Sequence, residues 1–316
     1  MSTKIFRLVG IEPDNLLALL ALLGALRATD RDKPYWNVRS RWSGTPWRPE
    51  IEVDGMVERS IFIDAVNAGV ATLAEAMSFA GYADLKYPID VARGLLKGAV
   101  HAGRDRERLF AALMSDGAVK DDGVVAAPAL CTMLGQGHQH FLTRLETIGR
   151  GGVAGKNAKK NDADLSSSAY IERALFETWL RGDATDSFRW DPAEDRRYAL
   201  RELNPSKDPG KTEHGANRLA VVGLPLLTSL PTGRRGAASI ATIGFSRTEK
   251  RRHITWPIWT SWLDLETVLA ILVRPELHGP TPLIAPLHVL GVAAAYRSYR
   301  VENGYYANFT RAEGVT

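Results

Sequence analysis

The chain opens on a short alternating stretch, Lys4-Ile5-Phe6-Arg7-Leu8-Val9, whose period of two predicts a strand. Pro13-Asp14-Asn15 then introduces an almost purely apolar run, Leu16 to Leu26, closed by Arg27. That pattern predicts a helix to about Ala28, with Asp14 or Asn15 as its N-cap. Trp36-Asn37-Val38-Arg39-Ser40-Arg41-Trp42 again alternates, and Glu50-Ile51-Glu52-Val53 follows the turn residues Gly44, Pro46 and Pro49. The two stretches read as a hairpin.

From Ile61 to Ile148 the spacing turns helical, with helices expected at 61–80, 89–102, 104–115 and 128–147. Residues 149–168 break the pattern with Gly149-Arg150-Gly151-Gly152, Gly155-Lys156, Lys159-Lys160, Asp162, Asp164 and a serine triplet, and read as a loop or linker. Beyond it the spacing predicts a helix over Ser167–Arg181, a strand near Arg197–Arg201, a loop through Pro205 and Pro209, and a helix near Gly215–Val222. Strands are expected at 239–246, 252–259 and 289–301, and a helix at 264–273. The expected class is α+β: a helix-rich N-terminal half with a small hairpin, then a mixed half with mostly antiparallel strands. The expected division is 1–148, a basic linker at 149–168, and 169–316.

Composition narrows the classes. With 45% hydrophobic residues and eight tryptophans in 316 residues, the chain is not intrinsically disordered. Its longest apolar run is about half of the roughly 20 residues a membrane span needs, and acidic Glu12 and Asp14 precede it. One cysteine, Cys131, excludes an internal disulfide framework. The expectation is a cytoplasmic protein without membrane contact.

Catalytic signatures are weak. Gly210-Lys211-Thr212 resembles the end of a phosphate-binding loop, but Pro205 stands at its first glycine position and Pro209 removes a further backbone donor. Gly149-Arg150-Gly151-Gly152-Val153-Ala154 matches a relaxed dinucleotide fingerprint but follows a helix instead of a strand. His138 and His140, two apart, point to opposite sides of a regular helix and do not chelate one ion. Asp162 and Asp164 have no third carboxylate nearby, and Cys131 sits among apolar residues. No catalytic residue, metal or cofactor is expected, and the reading is of a non-enzyme.

The net charge of +4 is mild, so the position of the charges matters more than their sum. Arg150, Lys156, Lys159 and Lys160 fall in the Gly-rich loop. Arg234 and Arg235 follow Pro231-Thr232-Gly233, read as a turn. Arg247, Lys250, Arg251 and Arg252 join two expected strands, with Glu249 the one nearby acid. Basic loops suit phosphate backbones, because each phosphate contact releases condensed counterions; the plain alternative is that these cations are simply solvated. Trp36, Trp42, Trp47, Trp256, Trp259 and Trp262 lie beside basic residues and are candidates for base stacking or for the core. Lys211, Asn217 and Arg218 surround a predicted helix start, where an anion or a capped loop fits.

A family resemblance follows from these residues. Pro13-Asp14-Asn15 with the apolar run to Gly24, Asp195–Leu200 (Asp-Arg-Arg-Tyr-Ala-Leu), the loop to Lys211-Thr212, and Gly215–Ala220 (Gly-Ala-Asn-Arg-Leu-Ala) with Leu224-Pro225-Leu226 form one set with Thr242-Ile243-Gly244-Phe245 and Trp256-Pro257-Ile258-Trp259. Together they resemble CRISPR-associated proteins of subtype I-G (formerly I-U), in a group named as an extension of the helicase-nuclease. The N-terminal pattern and Gly135–Leu142 are similar to subunits of the DNA-surveillance complex (Cascade) in related subtypes. The resemblance implies antiviral, RNA-guided DNA interference. It implies a large-subunit-like component of the effector, or an adaptor between effector and helicase-nuclease. Guide RNA, target DNA and other effector subunits are the expected partners, and the resemblance brings no catalytic residue.

Overall fold

The computed structural model describes residues 2–133, 140–153, 167–194, 212–234, 237–248, 251–303 and 306–315. Its class is α+β, with helices concentrated in the first half and strands in the second. Strand β1 (Thr3–Arg7) leads to helix α1 (Leu16–Asp32), and strands β2 (Arg39–Ser43) and β3 (Arg48–Asp54) form the expected hairpin. These three strands make one antiparallel sheet in the order β1-β3-β2, with Phe6 opposite Ile51 and Ile51 opposite Ser40. Helices α2 (Arg59–Ala74), α3 (Ile89–Ala102), α4 (Arg104–Leu113), α5 (Phe141–Gly149) and α6 (Ser167–Phe176) follow.

The later part holds α7 (His214–Gly223), the hairpin β4 (Ser229–Arg234) with β5 (Ala237–Thr242), and a larger antiparallel sheet. That sheet comprises β6 (Phe245–Thr248), β7 (Arg251–Trp259), β8 (Val292–Asn303), β9 (Tyr306–Phe309) and β10 (Glu313–Val315), ordered β10-β8-β7-β6, with β9 on the far part of β8. Helices α8 (Leu265–Leu272) and α9 (Pro275–His278) lie between β7 and β8.

Helix α1 is the organising element. Asn15 caps it, its side-chain oxygen accepting from the Leu17 and Ala18 amides, and every residue from Leu16 to Thr29 is buried. A helix apolar on all sides needs neighbours on all sides. It finds α7 and α2, and both approach to backbone contact. A Cβ on Gly24 would sit 1.9 Å from the Leu219 carbonyl oxygen, and one on Gly69 would sit 1.9 Å from that of Ala28. One continuous cluster of buried side chains runs from Phe6 through α1, α2 and α7 to Trp256 and Ala312, drawing on both of the regions expected at 1–148 and 169–316. The Trp256 indole donates to the Pro13 carbonyl at 3.0 Å, which ties β7 to the start of α1.

Several boundaries differ from expectation for identifiable reasons. Of the helix expected over 128–147, α5 is helical and residues 128–133 are not, because their backbone bonds to distant side chains; residues 134–139 lie outside the described residues. Arg300 donates to the carbonyls of Ala129 and Cys131, and the Trp190 indole to that of Leu130. The helix expected to reach Arg181 ends at Phe176; the Trp179 indole turns back onto the Ala174 carbonyl and Arg181 takes a left-handed backbone. The strand expected over 239–246 is divided by a turn at Gly244, which has φ +80°. Pro231-Thr232-Gly233 lies inside β4, not in a turn. Residues 197–201 lie outside the described residues.

Among the described residues, no helix is long and apolar enough to cross a membrane.

Candidate nucleic-acid interface

The β6–β7 hairpin places Arg247, Arg251 and Arg252 together. Pairing sets Phe245 opposite Ile254, Arg247 opposite Arg252, and Thr248 opposite Arg251. Side chains alternate along each strand, so Arg247 and Arg252 continue the same face as Phe245 and buried Ile254, two positions further out. The hairpin thus carries its core face outward into a pair of cations. On β8, Arg300 is buried and lies close enough to Arg252 to feel its charge. Burial, and after it that charge, holds the Arg300 guanidinium below its ordinary pKa, while Glu302 opposes the shift.

Arg247 and Arg251 are exposed and Arg252 is half-buried. None of the three makes an ion pair among the described residues. This sets them apart. Arg7, Arg41 and Arg39 pair with Glu50 or Glu52, Arg48 with Glu12, Arg104 and Arg108 with Glu266, Arg311 with Asp14, and Arg150 with Glu146. Like charges directly opposite one another on a sheet destabilise it. An unneutralised Arg247/Arg252 pair is therefore an arrangement that a bound anion relieves.

The other predicted residues are placed differently. Arg150 closes α5, bonded to the Met77 carbonyl at 3.1 Å as well as to Glu146. Arg234 ends β4. Lys156, Lys159, Lys160, Lys211, Arg235 and Lys250 lie outside the described residues. Asn217 and Arg218, expected near a ligand at a helix start, are 1% and 2% exposed. Asn217 donates to the Thr212 hydroxyl and to the Glu213 carbonyl, so it ties α7 to the strand-like pair formed by Asp183 and Thr212. The interior draws Asn217 away from solvent because α7 packs on α1 and α6 with nearly every residue covered.

Around that helix start lies a buried ionic network that the sequence did not announce. Arg173 bridges Asp183 and Glu213, and the Asp183 carboxylate also accepts from the His214 amide at 2.8 Å. Arg181 pairs with Asp191 at 2.7 Å, and Asn15, the cap of α1, donates to the same carboxylate at 3.1 Å. Glu194 accepts from the hydroxyls of Ser187 and Thr212, and burial next to Asp191 raises its pKa well above the ordinary carboxylate range. The Thr212 hydroxyl is thereby committed inward, not to a nucleotide. A cleft of about 410 Å³ opens beside the network, lined by Glu12, Asp14, Arg181, Asp191 and Arg311.

The tryptophans are core residues. Trp42, Trp256 and Trp259 are fully buried and Trp36 nearly so, while Trp47 packs against the core from its edge. Trp262 is half-buried under the Arg41 guanidinium, 4.4 Å from its ring centre. Trp42, Trp256 and Trp259 are on strands whose inner faces they fill, which leaves them no surface for base stacking. Burial pushes the Cys131 thiol up to about 12, which leaves it un-ionised at neutral pH. Among the described residues, no group of His, Cys, Asp and Glu side chains is arranged to hold a metal ion.

No protein-family model matches the chain, and no curated protein is significantly similar to it.

Proposed function

We propose that this protein is a non-catalytic nucleic-acid-binding subunit that grips the phosphate backbone through the β6–β7 hairpin. The observation that carries this reading is the set of three arginines, Arg247, Arg251 and Arg252, which have no carboxylate partner among the described residues, where other arginines such as Arg39, Arg41 and Arg108 are paired. Guanidinium groups make strong charge-assisted hydrogen bonds to phosphate oxygens, and such contacts position a strand without reading its sequence. The resemblance to type I-G CRISPR-associated proteins supports the setting: a component of an RNA-guided effector, with guide RNA or target DNA as ligand and other effector subunits as neighbours. Within such a complex base pairing reads the sequence and the protein holds backbones.

The test compares two sets of substitutions in polarisation binding to labelled duplex DNA, single-stranded DNA and RNA. Arg247→Ala with Arg251→Ala and Arg252→Ala weakens binding by 10-fold or more, on the order of the effect of losing a few charge-assisted contacts. Arg39→Ala with Arg41→Ala, whose side chains are engaged by Glu52 and Glu50, leaves it within about twofold. Equal losses from the two sets contradict the assignment.

A second reading, an adaptor that joins the effector to its helicase-nuclease, is favoured by one observation. Leu283, Val289 and Leu290 are each exposed in the segment between α9 and β8, and Val289 is 88% exposed. Binding to a protein partner that persists at high salt distinguishes it.

A further inference from the structure

A fourth arginine stands beside the hairpin cations. Strands β7 and β8 pair Ile254 with Ser298 and His253 with Tyr299, so Arg252 and Arg300 come next along the two strands. Residues opposite one another in an antiparallel pair share a face, and Arg247 lies opposite Arg252 on its other side. Arg247, Arg252 and Arg300 therefore form a row across three neighbouring strands, on one face of the sheet. The row runs inward: Arg247 is exposed, Arg252 half-buried and Arg300 buried.

The Arg300 guanidinium is fixed by its surroundings. Its Nε donates to the Ala129 carbonyl at 3.1 Å and its Nη2 to the Cys131 carbonyl at 3.2 Å. The remaining nitrogen, Nη1, pairs with Glu302, two residues further along β8 and so on the same face. The pair is lopsided: the Arg300 side chain is 4% exposed and that of Glu302 62%. On the first sheet the order is reversed, since Glu50 and Glu52 are the covered partners and Arg39 and Arg41 the more open ones.

This polarity decides which partner can leave. A carboxylate that already projects into water regains its hydration at little cost when it lets go. The guanidinium cannot follow it, because two carbonyls hold it in place. Nη1 is then left facing the space that the carboxylate vacates, close to Arg252, whose charge acts on Arg300. Glu302 pairs with Arg300, whereas Arg252 has no carboxylate partner among the described residues. A phosphate held at Arg252 lies next along the row and can answer both cations at once, with charge-assisted hydrogen bonds to each.

We propose that Glu302 is a built-in competitor for the phosphate backbone: it occupies Nη1 of Arg300 in the free protein, and a bound strand displaces it and gains Arg300 as a further contact. The inference rests on the hairpin reading and adds to it a residue that the basic clusters of the sequence do not contain.

The experiment is polarisation binding of the full chain to labelled duplex DNA, single-stranded DNA and RNA at about 100 mM salt. Glu302→Gln is expected to tighten binding by about fivefold, the size of one partly exposed ion pair. Arg300→Gln is expected to weaken binding, and to abolish the gain from Glu302→Gln when the two are combined. A gain that survives in full in the double variant means that Glu302 acts only through net charge, and overturns the proposal. Unchanged affinity in Glu302→Gln overturns it too. If Arg300→Gln does not fold, Glu302→Asp decides. It keeps the charge but shortens the reach to Nη1, so a gain in affinity supports the displaced contact and no gain removes it. The alanine substitutions of Arg247, Arg251 and Arg252 separate the two readings. Binding that they leave unchanged contradicts the hairpin reading and this inference with it. Binding that they weaken, but that Glu302→Gln does not alter, contradicts the inference alone.

Discussion

Arginine is the residue on which this molecule is most informative, because its chemistry is constant and its surroundings are not. On the first sheet Arg39 and Arg41 answer the largely covered carboxylates of Glu52 and Glu50, each at 2.9 Å. At the β6–β7 hairpin, and again where Arg218 is buried in α7, the same side chain has no carboxylate partner among the described residues. Histidine shows the complementary case. His253 is fully buried on β7, facing Arg297 and Tyr299 of β8 and His278 of α9. Burial, and next the Arg297 charge, pulls its pKa down to about 4 from an ordinary 6.5. The folded state therefore binds this proton more weakly than the unfolded chain. Its contribution is intact above pH 6.5 and is lost as the pH falls toward 4. His214, also held near 4, acts in the same direction. Urea melts at pH 7 and pH 5 are expected to show a lower stability at pH 5, and His253→Gln to reduce that difference. A difference as large in the variant as in the wild type would contradict this account.

Helices and strands are held in place here by close backbone approach as much as by side-chain packing. The crossing of α1 and α7 is the clearest instance: Gly24 meets the Leu219 carbonyl, and Gly223 meets that of Leu20. Gly24→Ala forces the helices apart and is expected to cost about 3 kcal/mol or more, at the upper end of overpacking effects, read as a lowered denaturation midpoint. Asn15→Ala removes the cap of the same helix and one donor to buried Asp191, with an expected loss of about 1–2 kcal/mol by the same melt. A loss below about 0.5 kcal/mol at Asn15 would mean the cap is replaced by water. The sequence announced α1, its cap and both strands of the first hairpin, because an apolar run after an Asx residue and a strict alternation are local signals. It placed α3 at its observed bounds for the same reason. It did not announce β4, where Pro231 and Gly233 read as a turn, since both are turn formers by local propensity and it is the pairing with β5 that holds them extended. Nor did it show the end of α6, which is set by the contact of Trp179 with Ala174.

At the scale of the whole molecule, one core joins the beginning and end of the chain: Ala312 donates its amide to the Asp14 carbonyl, and Trp256 donates to Pro13. The candidate interface is an extension of that core, a hairpin whose inner face runs out into cations. Part of the interface was legible. The cluster at 247–252 was visible as charge, but charge in a sequence does not say which cations find carboxylates after folding. The tryptophans and Asn217 illustrate the converse, since residues with recognition chemistry were consumed by the interior. Central to the account is that the unpaired arginines of β6 and β7 contact phosphates. The measurement that tests it most directly is the affinity of the purified chain for labelled duplex DNA from about 50 to 200 mM salt, with and without the Arg247, Arg251 and Arg252 alanine substitutions. The account predicts a steep fall with salt in the wild type, and a slope shallower by about 0.9 for each phosphate contact removed. An identical slope in a folded triple variant would contradict it.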